Sequence, residues 1–233
     1  MKLTRKLIWI YFFILISAFF GNILIAWLLF PGGYDILVNS VSTLGVTAHN
    51  PGGWIFFTIA LYSVAFGIIP LYLIIFKLLN SYNKPIAIIV VILYILTSLG
   101  LFMVGTFQEE SEFRKLHLYA SYFGFGGFFL AGVFTWIILG IGINKLDVLV
   151  KKRVTIMFII EIVILCAGAT GFLANLIMNE LDIINYSGEP ISVYIGFPFT
   201  EWMLVFAIFI EKVFLVYNLS QFIRVTNEEK VMK

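Results

Sequence analysis

Six apolar runs, each about the length a helix needs to cross a bilayer, are separated along the chain by short stretches that hold nearly all of its charge. They fall at residues 7–30, 54–79, 85–107, 116–143, 154–178 and 197–223. None alternates apolar and polar positions as a barrel strand must, which excludes an outer-membrane barrel. The pattern predicts an all-α polytopic membrane protein, a single six-helix transmembrane bundle over residues 1–233 without a soluble domain. Helix breakers at Pro31, Gly32, Gly33, Pro51, Gly52, Gly53 and Pro85 mark several of the edges.

Composition agrees. The chain is 61% hydrophobic and 12% charged, with a mean hydropathy of +1.04; a soluble domain carries about twice that charged share. A single cysteine, Cys166, rules out an internal disulfide and reads as a small apolar filler within its run. With the N-terminus inside, all but Arg114, Lys115 and Lys212 of the 15 basic residues fall on the inner side, so both termini are expected in the cytoplasm. Asp35, Glu109, Glu110, Glu112, Glu180, Asp182 and Glu189 then lie in outer loops. The first run follows Lys2, Arg5 and Lys6 as a secretory signal would, but it is too long and no small-x-small site follows, so it is expected to stay as an anchor.

Ionisable side chains in hydrocarbon cost a few kcal/mol or more, so each needs a partner or an interior face. Apart from Lys77 and His117 at the run ends, four stand inside the runs: Glu161, Glu201, Glu211 and Lys212. Glu161, Gly168 and Asn175 repeat every seven residues and share a face, as do Glu201 and Lys212 three turns apart. At about 1.5 Å per residue, Glu161 and Lys212 lie within one turn in depth. That matches them as a structural intramembrane ion pair, with Glu211 pointing elsewhere and acting as competitor. An ion or proton step is the sharper alternative; it would call for a Gly/Pro interruption at mid-depth, and none is expected.

A second polar group belongs at the outer ends. Gln108, Glu109 and Glu110 close the third run, His117 opens the fourth and Glu201 stands near the start of the sixth. Ser121, Gly124 and Thr135 continue the His117 face, and the first outer loop adds Asp35, Ser40, Ser42, Thr43 and His49 without one basic residue. A carboxylate beside an imidazole serves either acid–base chemistry or a pH-responsive hydrogen bond. The plainer role for His117 is to order its connection by bonding Glu109, Glu110 or Glu201; for His49 it is a solvated loop position. With two histidines and one remote cysteine, no three-histidine zinc site can form, and no metal or cofactor is expected. HExxH, GxSxG, P-loop and dinucleotide signatures are absent, and no basic patch suggests nucleic acid.

Trp9, Trp54, Trp136 and Trp202 read as interface anchors. Gly124, Gly126 and Gly127 read as helix packing, and the aromatics Tyr119, Tyr122, Phe123, Phe125, Phe128 and Phe129 as lipid-facing or as walls of a lipid-tail pocket. The sequon Asn185-Tyr186-Ser187 falls in an outer loop; Asn218-Leu219-Ser220 falls at the inner end, where it could not be used.

The order of short motifs resembles the DRAM/Frag/Sfk family of six-span membrane proteins, which includes autophagy modulators, a phosphoinositide regulator and a factor that remodels GPI-anchor lipid. The resemblance rests on Ser42-Thr43-Leu44-Gly45 with Asn50-Pro51, on Val104-Gly105-Thr106-Phe107-Gln108 followed by His117, and on Glu201-Trp202 opening the last span. It implies functional weight at Ser42, Gly45, Pro51, Gly105, Phe107, Gln108, His117, Glu201 and Trp202. The first outer loop lacks the cysteines usual in the autophagy branch, and the Ile, Lys and Asn usage suits a prokaryotic member, which would sit in the cell membrane.

The leading expectation is a non-enzymatic outer-leaflet pocket of Ser42, Gln108, Glu109, His117 and Glu201 that binds or positions a lipid headgroup, with a lipid-regulatory role. The partner expected is a membrane lipid, then a membrane-protein partner or homo-oligomer. An acyl-transfer or hydrolysis enzyme would use His117 as base, Glu201 to orient it and Ser42 as nucleophile. A small-solute or ion transporter would need a polar path from this layer to Glu161 and Lys212 past Asn22 and Asn175.

Overall fold

The computed structural model describes residues 5–109, 112–144, 146, 148–180 and 197–231, and every regular element among them is helical. Six helical stretches are long and apolar enough to cross a membrane: Arg5–Leu28, Trp54–Leu79, Lys84–Thr106, Arg114–Ile143, Val150–Ala174 and Pro198–Ile223. Each lies within a few residues of the run read from the sequence, and the chain is a multi-pass membrane protein. Side chains on the outside are apolar too: Phe13, Ile14, Leu73, Phe123 and Val163 are all exposed, as is Cys166. A bundle that is hydrophobic inside and out is one whose solvent is lipid.

The elements are α1 (Arg5–Leu28), α2 (Trp54–Gly67), α3 (Ile69–Leu79), α4 (Lys84–Thr106), α5 (Arg114–Ser121), a π turn (Tyr122–Gly126), α6 (Gly127–Ile143), α7 (Val148–Glu180) and α8 (Phe197–Val231). α4 is central, packed on α2, α3, α5 and α6; α7 and α8 form a hairpin, and α1 bridges α2 and α8. Asn83 caps α4 by accepting from the Ile86 N–H at 3.1 Å, and Pro85 follows at the first turn, where its missing donor costs nothing.

Two spans are not continuous α-helices, contrary to expectation. The second is broken between α2 and α3, because Pro70 cannot donate to the ladder and its ring crowds the carbonyl one turn back. The Gly67 carbonyl left open there accepts from the Tyr11 hydroxyl of α1. The fourth span contains the π turn, and its cause lies in the crossing with α4. A Cβ on Gly100 would stand 2.8 Å from both the Ala120 carbonyl oxygen and the Gly124 Cα, so the two backbones touch. Gly124 and Gly127 face α4, whereas Gly126 faces open space.

Residues 29–53, 107–109 and 112–113 lie together at one end of the bundle, opposite the end that holds Arg5 and Ile223. We call this the loop end. The chain turns after Pro31 through Gly32 and Gly33, at φ +79° and +90°, values that glycine takes without strain. Fully buried Asn50 then ties the loop down, donating to the Ala26 carbonyl at 3.0 Å and the Leu44 carbonyl at 2.9 Å. The 3₁₀ turn Val41–Gly45 is thereby held over the mouth of the bundle.

Candidate functional site

The loop end gathers side chains from four separate stretches. Ser42 Oγ donates to Glu109 Oε2 at 2.7 Å and shares a 3.0 Å hydrogen bond with Ser40 Oγ. The Val41 N–H donates to Glu201 Oε2, also at 2.7 Å, so the carboxylate at the start of α8 is fixed to the 3₁₀ turn. Next along α8, Trp202 Nε1 donates to the Tyr34 hydroxyl at 2.9 Å, and that hydroxyl donates to the carbonyls of Ser40 (2.7 Å) and Asn39 (2.9 Å). Burial holds the Tyr34 phenol well above the ordinary tyrosine range, the Trp202 N–H opposing this only in part.

His117 is nine-tenths buried, at 5% exposure, and its Nδ1 lies 2.6 Å from the Phe107 carbonyl. A carbonyl only accepts, so Nδ1 carries the proton and Nε2 is left as an acceptor in the neutral ring. No described residue bonds Nε2. This corrects the expectation that His117 pairs with Glu109 or Glu201: the backbone carbonyl ending α4 lies nearer and fixes the ring. Ser42 likewise bonds Glu109 rather than His117. Gln108 accepts from the Thr47 N–H at 3.1 Å and so anchors the loop instead of facing a cavity. His49 and Asp35 are exposed. Glu110, Asp182, Glu189 and the Asn185 sequon lie outside the described residues, and nothing is described of the Glu180 and Asn175 side chains.

Two cavities meet at this layer, sharing Ser42, His117, Ser121, Phe125 and Glu201. One is a groove of about 340 Å³ between the fourth span and the α7–α8 hairpin, walled by Leu118, Tyr122, Phe125, Phe129, Ala169, Phe172, Leu173 and Leu204 and headed by Glu109. The other is a narrow crevice of about 50 Å³ that runs from the layer down to Lys212 between apolar walls such as Phe12, Phe19, Leu61, Val64 and Phe128. On the far side of Glu109 a surface depression holds Ser40, Thr43, His49 and Arg114.

A second polar cluster lies deep in the bundle. Lys212 Nζ pairs with Glu211 Oε2 at 2.6 Å and donates to the Tyr94 hydroxyl at 3.1 Å. It also stands 5.2 and 5.4 Å from the ring centres of Tyr94 and Phe128. The expected Glu161–Lys212 pair is therefore not the one formed. Although adjacent positions on a helix diverge by about 100°, the lysine stem is long enough to bring its ammonium beside Glu211, while Tyr94 on α4 holds the other side. Glu161 instead accepts from Trp136 Nε1 at 2.7 Å and Asn218 Nδ2 at 3.0 Å. Glu211 Oε1 and Asn218 Oδ1 have no hydrogen-bond partner. Among the described residues no group of three or more acidic, histidine or cysteine side chains could hold a metal.

Trp136 and Trp202 are thus buried donors rather than interface anchors. Asn218, Tyr94 and Tyr34 were missed by sequence reasoning. Asn218 stands seven residues after Glu211, a period that would have found it; Tyr94 and Tyr34 carry no such signal.

Among known proteins, a family described as "Protein of unknown function (DUF998)" matches residues 13–187. No curated protein and no solved structure matches.

Proposed function

The chain belongs to the DUF998 family, and we propose that it is a lipid-binding membrane protein whose loop-end layer holds a headgroup while an acyl chain lies in the lateral groove. The observation that carries this is the groove itself. Its head is polar (Ser42, Glu109, His117, Glu201), its body is aromatic and aliphatic, and it runs between helices whose other faces meet lipid. On the positive-inside reading the layer belongs to the outer leaflet and both termini to the cytoplasm. The DRAM/Frag/Sfk likeness forms part of the same proposal. Ser42, His117 and Glu201 line the groove, Gln108 holds the loop, and a Cβ on Gly45 would collide with the Phe57 ring at 2.6 Å, so the matching residues support one another physically.

A lipid-cleaving enzyme is the second reading, favoured by the Ser42 hydroxyl lying against a carboxylate across the cavity from an imidazole lone pair. Its general base would be Glu109 in place of His117. Transport draws no such support: the crevice toward Lys212 is walled by apolar side chains, and Asn22 bonds the Ala18 carbonyl of its own helix.

The test is mass spectrometry of lipids that co-purify with the wild type, with His117→Ala at the head, and with Ala169→Phe, which fills the groove from α7. Both variants are expected to lose lipid while still folding. Lipid content unchanged in both rejects the proposal, and accumulation of lysolipid that stops in Ser42→Ala favours the enzyme.

A further inference from the structure

The hydrogen-bond ledger at the head of the groove is one-sided. Ser42 spends its proton on Glu109, Ser121 donates to the His117 carbonyl of its own helix at 2.9 Å, and His117 Nδ1 is committed to Phe107. Apart from the Tyr122 hydroxyl, the polar groups left to the groove are acceptors: the carboxylates of Glu109 and Glu201 and the Nε2 of buried His117, which no described residue bonds. Among the described residues no lysine or arginine lines it. A headgroup that presents only phosphate oxygens would meet two carboxylates and no cation, losing its water without gaining a partner. A headgroup with a positive charge and several N–H donors would satisfy all three acceptors.

The only cation bordering the described cavities on the loop side is Arg114, in the depression beyond Glu109. A zwitterion with its ammonium inward and its phosphate outward fits that order of charges. Resting on the lipid-binding reading above, we propose that the groove selects phospholipids bearing a primary ammonium headgroup, of the phosphatidylethanolamine class. The ammonium sits among Glu109, Glu201 and His117, and the phosphate lies toward Arg114. Choline headgroups carry the charge without N–H donors and fit less well; glycerol headgroups leave a net anion beside the carboxylates and fit least.

The test uses the full chain, purified and delipidated in detergent and then offered phosphatidylethanolamine, phosphatidylcholine and phosphatidylglycerol with identical acyl chains, with retention read by native mass spectrometry. Ethanolamine lipid should be retained about ten-fold over glycerol lipid, the worth of one charge-assisted contact, with choline lipid between. Glu201→Gln and Glu109→Gln should each bring ethanolamine retention down to the choline level. Thermal unfolding reports whether each variant folds, and the half-buried Glu109 carries the test if the Glu201 variant does not. Equal or preferred retention of phosphatidylglycerol, or indifference to both substitutions, overturns the selectivity while leaving lipid binding intact. Retention of no lipid of any class overturns both.

Discussion

Two polar clusters share this hydrophobic bundle, and they differ in how donors balance acceptors. In the deep cluster around Glu161, Glu211 and Lys212, an indole and an amide donate to one carboxylate, and an ammonium, itself bonded to the Tyr94 hydroxyl, pairs with the other, so each carboxylate has a strong partner inside the protein. At the loop end, the carboxylates and the histidine lone pair outnumber the protons left to give, and the surplus faces a cavity. Glutamate in a membrane is costly in both places. The deep cluster offsets most of that cost with a cation, leaving Glu211 Oε1 and Asn218 Oδ1 without a hydrogen bond, whereas no described lysine or arginine pairs with the loop-end carboxylates. The presence or absence of a partner cation thus distinguishes two clusters that residue type alone does not.

The contrast can be broken most forcefully at Lys212. Lys212→Met leaves Glu211 buried without its cation and should cost about 3–5 kcal/mol, read as a large fall in melting temperature in detergent. Lys212→Met with Glu211→Leu should recover most of that loss, since a matched apolar pair replaces the ion pair. Lipid selectivity in the double variant should stay as in wild type. A double variant as unstable as the single one would show that the cluster does not balance as a unit.

Gly100→Val sharpens the comparison from the other side. Its side chain meets the backbone of Ala120 and Gly124, so α4 and the π turn must separate, at about 1–3 kcal/mol. Ser121 and Phe125, which flank that contact and line the groove, should move with it, and bound lipid should fall more than thermal stability does. Unchanged lipid content would separate the π turn from the site.

The smallest effect is expected at Tyr34. Burial raises its phenol above the ordinary value of 10.0, so its contribution to stability is full below that pH and fades as pH rises beyond it. Melting temperature should drop more steeply above about pH 10 in wild type than in Tyr34→Phe, which itself costs about 1 kcal/mol. Identical alkaline profiles would contradict the Tyr34–Trp202–Ser40 link.

The bundle was legible because bilayer thickness imposes a length on every apolar run, and no detail of packing is needed to see it. The loop-end layer was legible in part for the same reason: Ser42, Glu109, His117 and Glu201 share a depth. Which way each side chain turns was not. Adjacency in sequence gave no hint that Lys212 would reach Glu211, and nothing local to His117 names the Phe107 carbonyl. The break at Pro70 was readable from one missing N–H, yet hydropathy averages over a single residue. The π turn was not readable, because it follows from how closely Gly100 and Gly124 approach across two helices.

The Tyr11 hydroxyl on the Gly67 carbonyl bears on how the protein is made. A second helix interrupted at Pro70 enters the membrane with an open carbonyl that hydrocarbon cannot satisfy. The helix synthesised just before it brings the missing proton. The first two spans should therefore leave the insertion machinery as a docked pair, and a phenylalanine at position 11 would delay biogenesis before it weakened the finished fold.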